Sequence, residues 1–313
     1  MADSKGSIAV VGNGLMGTGI AQVFAVAGWD VLVVGRDEDR LASAREKIKL
    51  CLSQFVERKL IEDAGALAAI ARVNTTTSIG DAANRDIVIE AITEDIDLKS
   101  ELFGELDKIC HGDCILATSS GQPASKVIAE VALVGRVIAT HFWYPAPLIP
   151  IVEVCPSPKT DPDITIRTMD ILRSIGRHPV EVKRELPGFI GNRIQFAILR
   201  EAWALWASGI ASAHDIDTVV KKTIGRRLGI TGPLESADLG GLDTFHAFAQ
   251  TLLPSLDTSA EPPIALSNLV STGARGASNK SGVYDWNTRS PEAIASARLD
   301  ELFRWAAKDD NDD

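Results

Sequence analysis

No run of this 313-residue chain approaches the ~20 consecutive apolar residues that a membrane-crossing helix needs, so no membrane partner is expected. Positive charge is in deficit as well: 32 Lys and Arg stand against 42 Asp and Glu, a formal net charge of −10. A nucleic-acid partner would then require a local basic patch. Lys47, Lys49 and Lys59 are interleaved with apolar positions, and Lys221-Lys222 with Arg226-Arg227 is short, so no nucleic-acid partner is expected either. The first seven residues are polar and lead straight into an apolar run, which is unlike a secretion signal. Cysteine is scarce: Cys51, Cys110, Cys114 and Cys155 show neither metal-ligand pairing nor the spacing of a secreted disulfide framework. Buried thiols in a reducing cytoplasm are the expectation, with no metal site. Nor is there an internal repeat.

What is present is an ordinary globular composition, 45% hydrophobic and 24% charged, in a chain longer than one hydrophobic core usually supports. Two domains are expected, residues 1–185 and 186–313, the second ending in an acidic, solvated tail at 308–313. Ser7-Ile8-Ala9-Val10-Val11 suits a strand buried on both faces. Gly12-Asn13-Gly14-Leu15-Met16-Gly17 follows, and Ile20 onward has helical spacing. Strand, G-x-G-x-x-G and helix together form the dinucleotide fingerprint. Gly12 permits the tight turn, Gly14 lets the backbone approach a pyrophosphate, and Gly17 allows close helix–strand packing. Leu15 and Met16 open a helix whose free N–H groups and positive dipole end face the phosphates.

The second strand, 30–34, ends at Gly35-Arg36, where an NAD site usually carries an acidic residue for the ribose hydroxyls. Loss of that carboxylate and gain of a guanidinium make room for a 2′-phosphate. NAD or NADP is therefore the expected cofactor, with NADP favoured by Arg36 and Asp37, Glu38 and Asp39 weighing against it. Helical patterns cover 37–59 and 62–71, a long excursion before the next evident strand at 86–92. Another strand, 114–117, opens into Thr118-Ser119-Ser120-Gly121. Loops at the carboxyl ends of such strands line the ligand crevice, which places Glu94, Lys99 and Ser120 near the cofactor.

Thr140-His141-Phe142-Trp143-Tyr144-Pro145 then leads through Pro147 and Pro150 to Ile151-Val152-Glu153-Val154. A histidine titrates near neutrality and suits proton transfer. Glu153 on an apolar strand requires a partner, because an unpaired buried carboxylate is costly. The two are expected to form a pair. Trp143 and Tyr144 offer aromatic surface beside the base, or core packing.

Together with the glycine loop, Glu90-Ala91-Ile92-Thr93-Glu94 with Lys99, the Thr-Ser-Ser-Gly loop, Pro187-Gly188-Phe189-Ile190-Gly191-Asn192-Arg193 and Asp238-Leu239-Gly240-Gly241-Leu242-Asp243-Thr244, this stretch resembles the 3-hydroxyacyl-CoA dehydrogenase family over nearly the whole chain. The resemblance implies an α/β fold: an N-terminal Rossmann-type doubly wound sheet and a C-terminal all-helical domain that commonly forms a homodimer. It also implies oxidation of a 3-hydroxy group to a ketone, with Ser120, His141, Glu153 and Asn192 matching the catalytic set. His141 would be the base, Glu153 its orienting partner, and Ser120 and Asn192 the hydrogen-bond donors to the substrate oxygen. Enzymes for CoA thioesters usually show an asparagine before the first proline after the histidine and a lysine before the Leu-Val-Glu run. Tyr144 and Pro150 stand there instead. The pattern is closer to the branch with gulonate, carnitine and pyridine-derivative dehydrogenases, so a small hydroxy acid or hydroxy/keto compound is the expected substrate. The alternatives are a true short-chain 3-hydroxyacyl-CoA dehydrogenase and a non-catalytic nucleotide-binding protein, crystallin-like or sensing.

Overall fold

The computed structural model describes residues 4–312, with side chains to residue 309. In chain order the first unit contains β1 (Ser7–Val11), α1 (Leu15–Val26), β2 (Asp30–Val34), α2 (Glu38–Glu57), α3 (Asp63–Ala71), β3 (Val73–Thr76), β4 (Ile87–Glu90), α4 (Ile96–Ile109), β5 (Ile115–Thr118), β6 (Val137–Phe142), β7 (Ile151–Pro156), α5 (Pro162–Ser174) and β8 (His178–Glu181). The strands form one sheet in the order β3-β2-β1-β4-β5-β6-β7-β8. All neighbours are parallel except β6 and β7. From β1 the chain winds first toward β2 and β3, then returns to β4 on the other side. The reversal leaves a crevice beyond the carboxyl ends of β1 and β4.

β1, β2, β4 and β5 are near-continuous apolar runs because helices cover both faces of the sheet, leaving two buried clusters. One cluster is centred on Ile8, Ile20, Phe24 and Ile89, the other on Val88, Phe103, Leu116 and Phe189. α1 is buried along nearly its whole length from Gly17 to Ala25, so it must lie close to the sheet. A Cβ on Gly17 would stand within 1.9 Å of the Gly12 carbonyl oxygen, which requires glycine there.

The long excursion after β2 has a simple explanation. α2 and α3 form the crossover to β3, which pairs with β2 at the sheet edge. β3 is Val-Asn-Thr-Thr with only Val73 buried, so it carries almost no apolar signal in the sequence.

The chain divides into two compact units: one runs to Asn192 and takes back the segment from Arg298, and the other is Arg193–Ala297. This differs from the expected division at 185/186, and local contacts account for it. Gly188 N–H donates to Gly121 O at 3.0 Å, and Phe189 is fully buried in the second cluster. At the other end, Phe303 meets Phe55 edge-on at 5.2 Å, and Asp300 accepts from Arg58 at 2.9 Å. Those last contacts lie on α12 (Pro291–Asp312), which follows α6 (Gly191–Ala207), α7 (Ala213–Lys222), α8 (Ile224–Arg227), α9 (Pro233–Gly240), α10 (Leu242–Leu252) and α11 (Ile264–Ser271). α12 continues into the acidic tail; the side chains from Asp310 and all of Asp313 lie outside the described residues. No helix among the described residues is long and apolar enough to cross a membrane.

Candidate active site

Because β6 and β7 run antiparallel, residues 12 apart in sequence become direct neighbours. His141 pairs with Glu153 in the strand register, and directly opposed side chains share a face of the sheet. Glu153 Oε2 lies 2.8 Å from His141 Nδ1. Trp143 Nε1 donates to the same oxygen at 3.3 Å. The other oxygen, Oε1, accepts from the backbone N–H groups of Ile190 at 2.8 Å and Gly191 at 3.0 Å. Burial of this carboxylate pushes its pKa up, but the His141 hydrogen bond and the two backbone donors outweigh that, and Glu153 titrates below its ordinary value. It is an ionised, orienting acceptor, and its grip on Nδ1 leaves His141 Nε2 as the nitrogen free for chemistry.

The two backbone donors come from a strained turn. Gly188 and Phe189 both have positive φ, 77° and 44°. A bulky residue in that region costs ~1–3 kcal/mol. Full burial of the Phe189 ring, worth ~1.5–3 kcal/mol, offsets it. The reward of the strain is a nest of successive N–H groups aimed at a carboxylate. The same turn carries Asn192 into place at the start of α6. Gly191 must be small, since a Cβ there would fall 2.3 Å from the Trp143 indole.

Asn192 Nδ2 and His141 Nε2 converge in front of Gly121. A methyl built on Gly121 would lie 3.0 Å from the amide nitrogen and 3.4 Å from the imidazole nitrogen. A reacting oxygen placed there could reach a proton acceptor and a hydrogen-bond donor at once. Ser120 belongs to an adjoining cluster. Its hydroxyl donates to Glu94 Oε2 at 2.9 Å and accepts from Gln122 N–H at 3.0 Å. Lys99, almost fully buried, lies 3.1 Å from Glu90 Oε1 and 3.3 Å from Glu94 Oε2. Glu90 is fully buried at the end of β4 and also accepts from Thr118 Oγ1 and Ile92 N–H, both at 2.7 Å. Desolvation raises its pKa, with Lys99, Thr118 and Ile92 pulling the other way.

The structure thus brings Glu94, Lys99 and Ser120 together in one hydrogen-bonded cluster and pairs His141 with Glu153, with Asn192 Nδ2 beside the imidazole in front of Gly121. Glu90, Thr118, Gly121 and Phe189 figure in the sequence only as members of motifs, with no role of their own assigned. A glutamate at the end of the wholly apolar Ile87–Ile89 run carried the same signal as Glu153. The other three depend on contacts between loops distant in sequence.

The glycine loop fits a dinucleotide. Gly12 has φ 119°, and a Cβ there would meet the Ala91 carbonyl oxygen at 2.4 Å, so only glycine closes this turn. A Cβ on Gly14 would have nothing within 4 Å: the space in front is open. α1 begins at Leu15 without a side-chain cap, which leaves its first N–H groups to a ligand. Leu15 is exposed, Met16 half-buried and Arg36 exposed at the end of β2. Gly14, Leu15 and Met16, at the open start of α1, are therefore the residues that could hold a pyrophosphate, with Gly12 and Gly17 shaping the turn beneath them.

The family model described as "3-hydroxyacyl-CoA dehydrogenase, NAD binding domain" matches residues 7–185, and "3-hydroxyacyl-CoA dehydrogenase, C-terminal domain" matches 188–286. The chain is 32% identical over 303 residues to 5-formyl-3-hydroxy-2-methylpyridine 4-carboxylate 5-dehydrogenase of Mesorhizobium japonicum, covering 95% of this chain and 96% of that one. It is 32% identical over 282 residues to 3-hydroxybutyryl-CoA dehydrogenase of Clostridioides difficile, covering 90% and 99%. A crystal structure of a 5-dehydrogenase for the same pyridine carboxylate, described as an NAD+ dependent dismutase, superposes with a TM-score of 0.89 at 27% identity, covering 97% and 98%. The (S)-3-hydroxybutyryl-CoA dehydrogenase PaaH1 from Ralstonia eutropha gives 0.74 at 30% identity, covering 89% and 98%.

Proposed function

The chain belongs to the 3-hydroxyacyl-CoA dehydrogenase family of oxidoreductases, and from that premise we propose that it interconverts a hydroxyl and a ketone on a small hydroxy acid or hydroxy/keto compound, using His141 and Glu153 and preferring NADP. The observation that carries the chemistry is the convergence of His141 Nε2 and Asn192 Nδ2 in front of Gly121, with Nδ1 of the same imidazole held by Glu153.

Bound nicotinamide supplies the hydride acceptor or donor. In oxidation, His141 Nε2 takes the hydroxyl proton, and the ionised Glu153 stabilises the imidazolium that forms. Asn192 Nδ2 donates to the substrate oxygen and fixes the carbinol carbon. Ser120 can add a second donor by turning its hydroxyl from Glu94 to the substrate. In reduction the same imidazolium returns the proton to the developing alkoxide.

Tyr144 and Pro150 support a small substrate, since they replace the asparagine and lysine usual in enzymes for CoA thioesters. So does the closer superposition on the pyridine-carboxylate dehydrogenase than on PaaH1. Arg36 is exposed and in no ion pair among the described residues, which supports a 2′-phosphate contact. The test is a panel of free hydroxy and keto acids and CoA esters assayed with NADPH and NADH. Free acids with NADPH should give the highest kcat/KM; faster turnover of acetoacetyl-CoA than of any free acid would overturn the substrate reading.

A homodimer is proposed for the second unit. None of α7 to α11 buries a residue, and Leu239, Leu242, Phe245 and Phe248 stand exposed. Large apolar side chains exposed along consecutive helices are what a partner subunit would cover. Light scattering should give twice 33.5 kDa; a single-chain mass at micromolar concentration would refute it. The four free cysteines suit a reducing, cytoplasmic setting.

A further inference from the structure

Glu153 Oε2 is shared by two nitrogens. His141 Nδ1 lies 2.8 Å from it, and the half-buried indole of Trp143 donates to it from Nε1 at 3.3 Å. The strand explains why both reach it. His141 and Trp143 are two residues apart at the end of β6, so they leave the sheet on one face, and Glu153 stands opposite His141 on that face. The two rings lie side by side with centroids 5.4 Å apart. Packing favours the edge of the indole that carries the N–H. A Cβ on Gly191 would fall 2.3 Å from Trp143 Cζ2 and 3.1 Å from Cε2, the carbon bonded to Nε1. Gly191 therefore serves both oxygens of the carboxylate. Its N–H donates to Oε1 at 3.0 Å, and its missing side chain lets the indole edge come up to Oε2. A phenylalanine at 143 would place a ring beside the imidazole and offer no donor.

Hydrogen bonds to a carboxylate stabilise its charge, and a carboxylate so held pulls less strongly on a neighbouring cation. The ionisable surroundings leave this adjustment to Trp143. The imidazole is the charged group that acts on Glu153. Cys155, two residues along β7, has its thiol pushed up to about 12 by burial, Glu185 and Glu153, so it stays protonated where a histidine titrates. β8 sets Val180 beside Glu153 in the register, with His178 exposed one step further out on that face. The turn 186–191 brings no ionisable side chain. Lys99, behind Ser120, is paired with both Glu90 and Glu94.

We propose that Trp143 is a positioning residue of the proton-transfer pair: its indole N–H shares Glu153 Oε2 with His141 Nδ1, holds that oxygen in place and moderates its pull, so that the imidazolium is not held too tightly to release its proton. This role rests on the pairing of His141 with Glu153 proposed above and adds a residue to it. Trp143 touches neither the reacting oxygen nor the cofactor in this scheme; it acts through Glu153.

The experiment is an NMR titration of the isotope-labelled full-length protein, which involves no substrate and no turnover. The His141 ring signals are assigned by their loss in His141→Ala. The Trp143 Nε1–H signal is assigned by its nuclear Overhauser contact with the imidazole, so the first readout needs no variant at 143. In wild type that indole signal should move with the same midpoint as the His141 ring, because both share one oxygen. In Trp143→Phe, which keeps a ring and removes the donor, the His141 midpoint should rise by about 0.5 pH unit or more, with Nδ1 still the protonated nitrogen of the neutral ring. An indole signal indifferent to the His141 titration would overturn the role of Trp143. So would an unchanged or lowered midpoint in Trp143→Phe, which would make the indole a packing element. Failure of the pair beneath it reads differently. Glu153→Gln removes the negative charge and should lower the His141 midpoint; no fall there would overturn the pairing of His141 with Glu153 itself.

Discussion

Replacing His141 by alanine is expected to lower kcat by about 10²–10⁴-fold and to leave dinucleotide affinity within about twofold. The separation of effects follows from the strands. The residues proposed to hold the dinucleotide lie at the ends of β1 and β2, whereas His141 belongs to β6, three strands from β1 in the sheet. Its side chain is tied to β7 by one hydrogen bond, to Glu153. Removing the imidazole leaves that carboxylate with Trp143, Ile190 and Gly191, so the buried charge keeps three donors and the fold keeps its anchor. What is lost is the proton acceptor. The reaction must then use water or hydroxide, so the residual rate should rise steadily with pH. Steady-state assays across pH, paired with fluorescence titration of the reduced cofactor, measure both quantities. Wild-type kcat in His141→Ala would end the proposed mechanism. A large loss of cofactor affinity would show that His141 acts on the dinucleotide instead.

Much of this arrangement is legible in the sequence because its parts are local. The glycine fingerprint needs only a strand before it and a helix after it. His141 and Glu153 announce themselves as ionisable residues in apolar strands, and the proline-rich stretch between them is long enough for an antiparallel return. β3 is hidden because an edge strand half open to water needs no apolar run. The return of α12 to the first unit is hidden for another reason: Phe303 is one aromatic among many, and nothing local says that Phe55 is its partner. The nest for Glu153 is hidden too, since nothing local in the sequence announces a positive φ at the bulky Phe189 that precedes its two donors, Ile190 and Gly191. Ser120 shows the limit of matching motifs. Its hydroxyl is engaged by Glu94, which lies 3.3 Å from Lys99, a network that no single motif announces.

Gly121→Ala is expected to reduce kcat/KM by about 100-fold or more while the protein folds, melts and binds dinucleotide as wild type does. Gly121 has no positive φ, so an alanine needs no unusual backbone conformation there. Its carbonyl is held by the Gly188 N–H, which fixes where a Cβ would point. That Cβ would meet Asn192 Nδ2 at 3.0 Å and the His141 ring at 3.4 and 3.6 Å, and no other atom comes closer. The imidazole is held by Glu153 and by the aromatic rings of Trp143 and Phe189, so it cannot retreat without breaking its orientation. Asn192 can swing away, but only by leaving the place from which it would bind the substrate oxygen. Either response removes an interaction needed in the transition state, so kcat should fall together with kcat/KM. The contrast with Gly17→Ala sharpens the test: a Cβ there strikes the Gly12 backbone at 1.9 Å, and the loss should appear first in dinucleotide binding. Retention of wild-type kcat/KM by Gly121→Ala would mean that the space in front of Gly121 is not where the reacting oxygen sits. The joint role proposed for His141 and Asn192 would then have to be given up.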